Sequence, residues 1–185
     1  MNFRISVGSI EGTNSFGKVV YNENNTLVES DFQELVVREN SAGSIFCLGS
    51  VKSKDKSKEI GACLDLISEQ SLHSIVSELE GRFVLFLVTQ NGLYASSDQF
   101  GKLDIYYQEN ENNITLASNF DLLPESPAKD GFNQDALVHT LTYYGYCPPK
   151  KDTLYNSVKR LGVDECAHIK NGKLTLIRQN FAIQN

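Results

Sequence analysis

Long apolar runs are absent from this sequence of 185 residues. The longest one spans residues 83–88, far short of the roughly 20 apolar residues that cross a bilayer as a helix. The opening residues, MNFRISVG, contain no apolar stretch of the kind that a secretory signal requires. We therefore expect a cytoplasmic protein without a membrane-spanning segment.

Patterns that bind metals or nucleotides are absent as well. The four cysteines form no C-x-x-C pair, and the three histidines show no metal-ligand spacing. No G-x-G-x-x-G or P-loop pattern occurs. We predict that the protein holds no metal and no cofactor. Four thiols are expected to be reduced and mostly to fill the core: Cys47, Cys63, Cys147 and Cys166.

A basic surface is also lacking, since 17 Lys and Arg stand against 23 Asp and Glu, a formal net charge of −6. Nucleic acids and anionic membranes need a basic patch, so neither is expected as a partner. The densest basic stretch, residues 52–58, is interrupted by Asp55 and is interpreted as a solvated loop.

Strand and turn signals dominate what the sequence does contain. Residues 83–88 form a continuous apolar run, which predicts a strand covered on both faces. Asn91-Gly92 and Asn171-Gly172 each separate two apolar runs. Such dipeptides predict hairpins in which both central residues take positive φ.

Further strands are predicted on either side of these hairpins. A third hairpin is expected to join residues 104–107 to residues 114–118 through a polar loop. Residues 3–7 and 44–48 also have the pattern of strands.

Two helices are predicted between residues 60 and 80. Apolar side chains at i, i+3, i+4 and i+7 define the buried face of each helix. These side chains are Ile60, Cys63, Leu64 and Ile67 in the first helix, and Leu72, Ile75, Val76 and Leu79 in the second. Gly81 is expected to end the second helix.

A third helix is predicted after Phe132. Asn133 can cap its first turn, and Phe132 stands where a hydrophobic staple to Leu137 would begin. Gly145 is expected to end this helix. The side chains predicted to form its buried stripe are Leu137, Val138, Leu141 and Tyr144.

The order of these elements predicts an α+β fold with mainly antiparallel sheets and helices packed on them. No internal repeat and no low-complexity linker occurs in the sequence. We therefore expect residues 1–185 to form a single domain.

Three segments, in sequence order, resemble one protein family. Residues 79–86, LEGRFVLF, are similar to its L-x-G-x-F-A-F-A strand. Residues 97–107, SDQFGKLDIYY, resemble its R-D-R-F-G-x-x-P-L-Y-Y segment, and residues 141–149, LTYYGYCPP, resemble its Y-L-x-x-G-Y-V-P-x loop. The family is the N-terminal glutamine-hydrolysing domain of asparagine synthetases, a class II glutamine amidotransferase. The resemblance implies the four-layer αββα sandwich of N-terminal-nucleophile (Ntn) hydrolases, with mainly antiparallel sheets.

Glutamine hydrolysis in this family requires a cysteine thiol at the mature N-terminus. The thiolate attacks the amide while the α-amino group relays the proton. Position 2 here is Asn2, and no cysteine precedes Cys47. Met1 is expected to be retained, and its thioether has no proton to lose. We therefore expect no catalytic residue for glutamine hydrolysis.

The oxyanion hole of the family also has no counterpart. The family's N-G-E segment, which supplies the oxyanion donors, should follow the strand at residues 44–47. Leu48, Gly49 and Ser50 stand there instead, as a remnant glutamine pocket. Losing one such donor lowers the rate by on the order of a hundredfold or more.

The residues that anchor the substrate in the family are missing too. The family's G-S-D segment, whose carboxylate binds the substrate ammonium, corresponds to residues 61–63, where no acid occurs. Asp65 is the nearest acid, and Arg38 is the only distant candidate for the family's R-L-S segment. Nucleophile, oxyanion donor and substrate anchor are thus expected to be lost together.

The residues that keep the family pattern have a structural interpretation. Asp98 and Gly101 are expected to shape a tight turn, and Phe100, Tyr106 and Tyr107 to fill core or interdomain space. A direct binding role for these residues is the alternative.

One family loop is predicted to face a partner. The G-Y-V-P loop of the family faces the second domain of the synthetase. The corresponding residues are Tyr144, Gly145, Tyr146, Pro148 and Pro149.

The function that these features favour is a catalytically inactive glutaminase-like domain, an accessory part of an ATP-dependent amide-forming ligase. Beta-lactam synthetases and lasso-peptide cyclases keep a domain of this type without the cysteine. No S-G-G-x-D-S pyrophosphate motif occurs in the sequence. The predicted partner is therefore an asparagine-synthetase-like ligase domain or subunit.

Two alternatives stay open. The first is a free-standing ligand-binding or regulatory module that uses the remnant glutamine pocket. The second is an amidohydrolase or amidotransferase with an unrecognised nucleophile.

Overall fold

The structure is a computed structural model that describes residues 2–8, 17–23, 25–111, 113–142, 151–163 and 165–178. The strands are β1 (Phe3–Gly8), β2 (Lys18–Glu23), β3 (Thr26–Ser30), β4 (Leu35–Asn40), β5 (Gly43–Ser53), β6 (Leu79–Thr89), β7 (Gly92–Ser97), β8 (Tyr106–Glu109), β9 (Asn113–Ala117), β10 (Lys159–Arg160), β11 (Glu165–Lys170) and β12 (Lys173–Arg178). The helices are α1 (Ile60–Asp65), α2 (Leu72–Glu78) and α3 (Gln134–Thr142), with a 3₁₀-helix at Phe120–Leu122.

The chain divides into two compact units, each containing one six-stranded sheet. The first unit consists of Met1–Asp31 and Asp104–Gly162. Its strands follow the order β10-β8-β9-β1-β3-β2, and all neighbours are antiparallel. β1 lies inside the sheet, and both Phe3 and Arg4, which point to opposite faces, are buried. The predicted hairpin between residues 104–107 and 114–118 is confirmed as β8 and β9.

A buried ion pair joins β1 to β3. Arg4 lies opposite Glu29 in the antiparallel register. Arg4 Nε donates to Glu29 Oε2 over 2.7 Å, and Arg4 Nη2 lies 2.5 Å from the same oxygen. The two side chains are 7% and 1% exposed, so each charge is out of reach of solvent screening.

The second unit consists of Phe32–Leu103 and Val163–Asn185. Its strands follow the order β12-β11-β7-β6-β5-β4, again with antiparallel neighbours throughout. Residues 83–87 of β6 are fully buried, as the apolar run predicts. The predicted α+β class with mainly antiparallel sheets is confirmed by the two sheets and their few helices.

Helices α1 and α2 pack on this second sheet. Both predicted apolar faces are confirmed: their side chains belong to one buried cluster with Phe83, Leu85 and Tyr94. The predicted end of the second helix at Gly81 is wrong, because α2 ends at Glu78 and β6 begins at Leu79. Gly81 instead takes φ 143° inside β6, where a Cβ would lie 2.1 Å from the Ser50 carbonyl oxygen.

The two Asn-Gly hairpins form as predicted, but with different turns. Asn171 and Gly172 both take positive φ, 52° and 70°. In the first hairpin Gly92 alone does so, so the prediction for Asn91 is wrong. Thr89 pairs with Gly92, which places Gly92 in the strand. A Cβ there would lie 2.2 Å from the Ile169 carbonyl oxygen, so the close approach of β11 requires this glycine.

Helix α3 starts as predicted but does not bury the predicted stripe. Asn133 caps it, since its Oδ1 accepts from the Ala136 N–H over 3.1 Å. Within the described helix only Ala136 is buried, whereas Val138 is 57% and Leu141 is 73% exposed. Apolar spacing indicates which side chains share a face, but not what covers that face.

Of the other residues predicted for this helix, the structure describes Phe132. Phe132, the predicted start of the hydrophobic staple, is 52% exposed and stacks on Tyr155, with ring centroids 5.6 Å apart. Tyr144 and Gly145 lie outside the described residues. No helix in the described part of the chain is long and apolar enough to cross a membrane.

Replacing Arg4 by alanine leaves the Glu29 carboxylate buried without its guanidinium. We expect Arg4→Ala to lower the free energy of unfolding by about 3–5 kcal/mol in urea denaturation. The control is Arg38→Ala, since Arg38 pairs with Asp65 at 3.9 Å with side chains 46% and 56% exposed. That change should cost less than about 1 kcal/mol. Equal effects of the two substitutions would show that the buried pair has no special role.

Candidate functional site

The structure places Asp98, Phe100 and Gly101 in one tight turn after β7. The buried Asp98 carboxylate accepts from two backbone amides, Phe100 N–H at Oδ1 and Lys102 N–H at Oδ2, both over 3.0 Å. Gly101 takes φ 57°, and its N–H donates to the Asp98 carbonyl over 2.9 Å. Asp98 N–H donates to the Phe83 carbonyl over 3.0 Å, which fixes the turn to β6.

This turn presents Phe100 to solvent rather than to the core. Phe100 is 61% exposed, and the Lys102 ammonium lies 5.3 Å from the centre of its ring. Lys102 Nζ also donates to the Gly81 carbonyl over 3.1 Å. A cleft of about 300 Å³ beside the turn is lined by Phe100, Lys102 and Lys54, among others. An exposed aromatic ring beside the Lys102 ammonium can contact a partner protein, because Asp98 fixes its backbone.

Tyr106 and Tyr107, the other aromatic residues of the family pattern, are half-buried on β8. The Tyr106 ring packs on Phe120 with centroids 4.5 Å apart, next to the buried side chains of Ala117 and Val158. These contacts belong to the core of the first unit.

The three residues predicted as a remnant glutamine pocket lie inside β5. The strand continues to Ser53 instead of ending near Cys47. Leu48 is fully buried, and Ser50 is exposed. Gly49 N–H donates to the Glu34 carbonyl over 2.8 Å, and a Cβ on Gly49 would lie 2.3 Å from the Arg82 carbonyl oxygen. The Gly49 amide is therefore used by sheet pairing.

Arg38 and Asp65, the two candidates for a substrate anchor, form an ion pair with each other. Arg38 Nε lies 3.9 Å from Asp65 Oδ1 on the surface of the second unit. Gly61, the first residue of the predicted G-S-D counterpart, lies under Arg38, where a Cβ would be 2.9 Å from Arg38 Nη2. The predicted partner-facing residues (Tyr144, Gly145, Tyr146, Pro148 and Pro149) lie outside the described residues.

The structure contains a second cleft, of about 360 Å³, which the sequence did not predict. It lies in the second unit, where Glu69 and Tyr94 line it together with Cys166 and Arg178. These residues come from distant parts of the chain, so no local motif joins them. Pairing of β7 with β11 is what brings Tyr94 and Cys166 together.

Glu69 supplies the negative charge of this cleft. Its carboxylate accepts from Thr89 Oγ1 over 2.8 Å and from Asn91 Nδ2 over 3.4 Å. The Thr89 hydroxyl, followed by weaker donors, holds the pKa of Glu69 below its ordinary value of 4.5. Burial, together with the Glu69 charge, raises the pKa of Tyr94 to about 12. At neutral pH the cleft thus offers the Glu69 carboxylate beside the neutral Tyr94 phenol, with the Arg178 guanidinium in the same lining.

The cysteines that the structure describes are all buried. Burial raises the pKa of Cys47 and of Cys166 to about 12. Both thiols therefore stay protonated near pH 7, and the thiolate is the nucleophilic form. In the described part of the chain, no three His, Cys, Asp or Glu side chains group to hold a metal ion.

Comparison with known proteins identifies the family. The glutamine amidotransferase domain matches residues 60–181, more than half of the chain. The chain belongs to the glutamine amidotransferase domain family. The match includes both α1 and α2, which precede β6.

Comparison with individual proteins gives less information about this chain than the family match. No curated protein matches the chain. A similar solved structure is the glutamine phosphoribosylpyrophosphate amidotransferase from B. subtilis, complexed with ADP and GMP, with 9% identity and a TM-score of 0.49. The alignment covers 98% of this chain and 44% of that one, so the chain spans less than half of that protein's length.

Removing the Thr89 hydroxyl should raise the pKa of Glu69. Because the folded pKa lies below the unfolded one, this hydrogen bond stabilises the fold above about pH 4.5 and ceases to do so as pH falls through the folded pKa. We expect Thr89→Val to be less stable than the wild type at pH 7, with a smaller difference at acid pH. NMR titration of the Glu69 carboxyl and urea unfolding at several pH values measure both effects.

Thr89→Ser is the matched control, since it keeps the hydroxyl and should leave the Glu69 titration near that of the wild type. An unchanged Glu69 titration in Thr89→Val would show that another donor sets this pKa.

Proposed function

We propose that this chain is a glutaminase-like domain that has lost glutamine hydrolysis and serves as the accessory part of an ATP-dependent amide-forming ligase of asparagine-synthetase type. Membership of the glutamine amidotransferase domain family supports the first half of this proposal. The exposed apolar face of α3 is the observation that carries the second half.

The loss of hydrolysis is supported at each position that the chemistry would need. At the head of β1, Asn2 stands where the resemblance places the nucleophile, and its Oδ1 accepts from Asn119 Nδ2 over 2.9 Å. An amide side chain held in this way cannot attack a carbonyl carbon. Cys47 and Cys166 are protonated, and the Gly49 amide is engaged in the sheet. No described group supplies the missing nucleophile or oxyanion donor.

The docking role is supported by the surface of α3. Val138 and Leu141 are 57% and 73% exposed, and Phe132 before the helix is 52% exposed. Contiguous exposed apolar residues on a folded domain mark an interaction surface. In the sequence, α3 is followed by residues 144–149, which the resemblance assigns to the partner-facing loop. In the second unit, Phe100 is a separate exposed aromatic residue on a rigid turn.

The partner would supply the activation chemistry. The sequence contains no S-G-G-x-D-S motif, so adenylation of a carboxylate needs another domain or subunit. The accessory domain would contribute buried surface to that partner instead of ammonia.

A ligand-binding module is the second candidate function, and the Glu69 cleft favours it. The cleft has a volume of about 360 Å³, and the Glu69 carboxylate and the Tyr94 ring both line it. This function differs from the first in needing no protein partner.

The docking role predicts a specific capture experiment. The full tagged chain, recovered from its source cells, should retain an asparagine-synthetase-like ligase in stoichiometric amount, as identified by mass spectrometry. We expect Leu141→Ser to reduce the retained ligase by about tenfold or more, since central apolar contacts dominate interfaces.

Leu66→Ser is the matched control, because Leu66 is 69% exposed but lies at the end of α1. It should leave capture unchanged, and both variants should keep the wild-type Tm. A clean preparation without a ligase would refute the docking role.

The loss of hydrolysis predicts that the purified chain releases no glutamate from glutamine above a protein-free blank. Cys147→Ser provides the control for the one thiol outside the described residues. Glutamate release that disappears with a single Ser or Cys substitution would establish an unrecognised nucleophile instead.

A further inference from the structure

Three buried polar side chains lie side by side on one face of the first sheet. In the β8–β9 ladder Gln108 is opposite Thr115, and in the β9–β1 ladder Thr115 is opposite Ser6. Residues directly opposite each other in adjacent strands point to the same face. The three side chains are 1%, 1% and 2% exposed, respectively. We call them the polar row.

Within the described residues, each member of the polar row has a polar atom without a hydrogen-bond partner: Ser6 Oγ, Thr115 Oγ1 and Gln108 Nε2. Gln108 Oε1 does accept a bond, from the Glu125 N–H over 3.3 Å. That bond fixes the amide and leaves Nε2 as the open donor. A buried polar atom without a partner is destabilising and rare in folded proteins, so three in adjacent positions require an explanation.

The polar atoms of the row do not bond each other in the described structure. Directly opposite side chains in an antiparallel pair have Cβ atoms about 4.5–5.5 Å apart, and two hydroxyls at this spacing bond only when their rotamers turn the oxygens toward each other. Where the oxygens are turned apart, a single water with two bonds of about 2.8 Å each can bridge them. The Arg4–Glu29 ion pair lies two residues along β1 on the same face, so the surroundings of the row are also polar.

We propose that the polar row is a binding site for internal water, with one molecule between Gln108 and Thr115 and a second between Thr115 and Ser6. The first water accepts from Gln108 Nε2–H and donates to Thr115 Oγ1. The Thr115 hydroxyl then donates to the second water, which donates to Ser6 Oγ. This chain of donors satisfies all three open atoms. The row has no charged member, so it suits a small neutral ligand that both donates and accepts.

In this proposal Thr115 bonds both waters. Its substitution therefore tests whether the polar row contains water (a hydrated row) or not (a dry row). Valine has nearly the same shape as threonine but no hydroxyl. In a dry row, Thr115→Val removes an unpaired polar atom and leaves the protein equally or more stable. In a hydrated row, the same change removes one bond from each water, so the waters leave and Gln108 Nε2 and Ser6 Oγ lose their partners. The sign of the stability change therefore distinguishes the two cases, and it does not depend on the proposed function.

The experiment combines thermal unfolding of the full chain with water-oxygen-17 relaxation dispersion, which counts long-lived internal waters. We expect Thr115→Val to lower the Tm by about 2–4 °C or more and to remove two long-lived waters. Thr153→Val is the reference for a satisfied hydroxyl, since Thr153 Oγ1 donates to the Val158 carbonyl over 2.8 Å. It should lower the Tm similarly and leave the water count unchanged.

Two results overturn the proposal: a Tm that is unchanged or raised in Thr115→Val, or a lowered Tm with no water lost. If Thr115→Val does not fold, Ser6→Ala is assayed in the same way. Ser6→Ala removes only one end of the row, so we expect it to release one water. An unchanged water count in Ser6→Ala equally overturns the proposal.

Discussion

The β5–β6 ladder is the interaction on which the second unit depends. Ten cross-strand pairs join the two strands, from Ser44 with Val88 to Ser53 with Leu79. The same strands carry the cluster on which α1 and α2 pack, and the Phe83 carbonyl holds the Asp98 turn. On the other side of β5, the Gly49 N–H donates to the Glu34 carbonyl. Pairing of β5 with both neighbouring strands therefore fixes the backbone at the position where the resemblance expects the oxyanion donors.

Local patterns predicted the elements that bury their own apolar residues. The run at residues 83–88 and the stripes of α1 and α2 have a single stable arrangement, so sequence spacing was sufficient. The edge strands β2 and β4 were missed because half of their residues are polar and none is buried, so the apolar–polar alternation that marks a strand is absent. For α3 the pattern was present but misleading, because apolar spacing does not show whether other parts of the chain cover the face, and Val138 and Leu141 are exposed.

The residues of the candidate site also divide into those that local sequence predicts and those that it does not. Asp98, Phe100 and Gly101 could be placed in one turn because the turn chemistry is local. The Glu69–Tyr94 cleft and the polar row could not be predicted, since both depend on the register between strands far apart in sequence. Leu48 and Ser50 were placed after the strand by comparison with the family pattern, whereas the strand that contains them runs on to Ser53.

The proposed role of this domain is to support an amide-forming ligase without supplying ammonia to it. The most direct measurement is pyrophosphate release by the ligase that co-purifies with the chain, assayed with ATP, its acid and its amine. We expect the rate to fall when the chain is omitted, to recover when it is added back, and to show no response to glutamine. An equal rate without the chain, or one glutamate formed per amide, would contradict the claim.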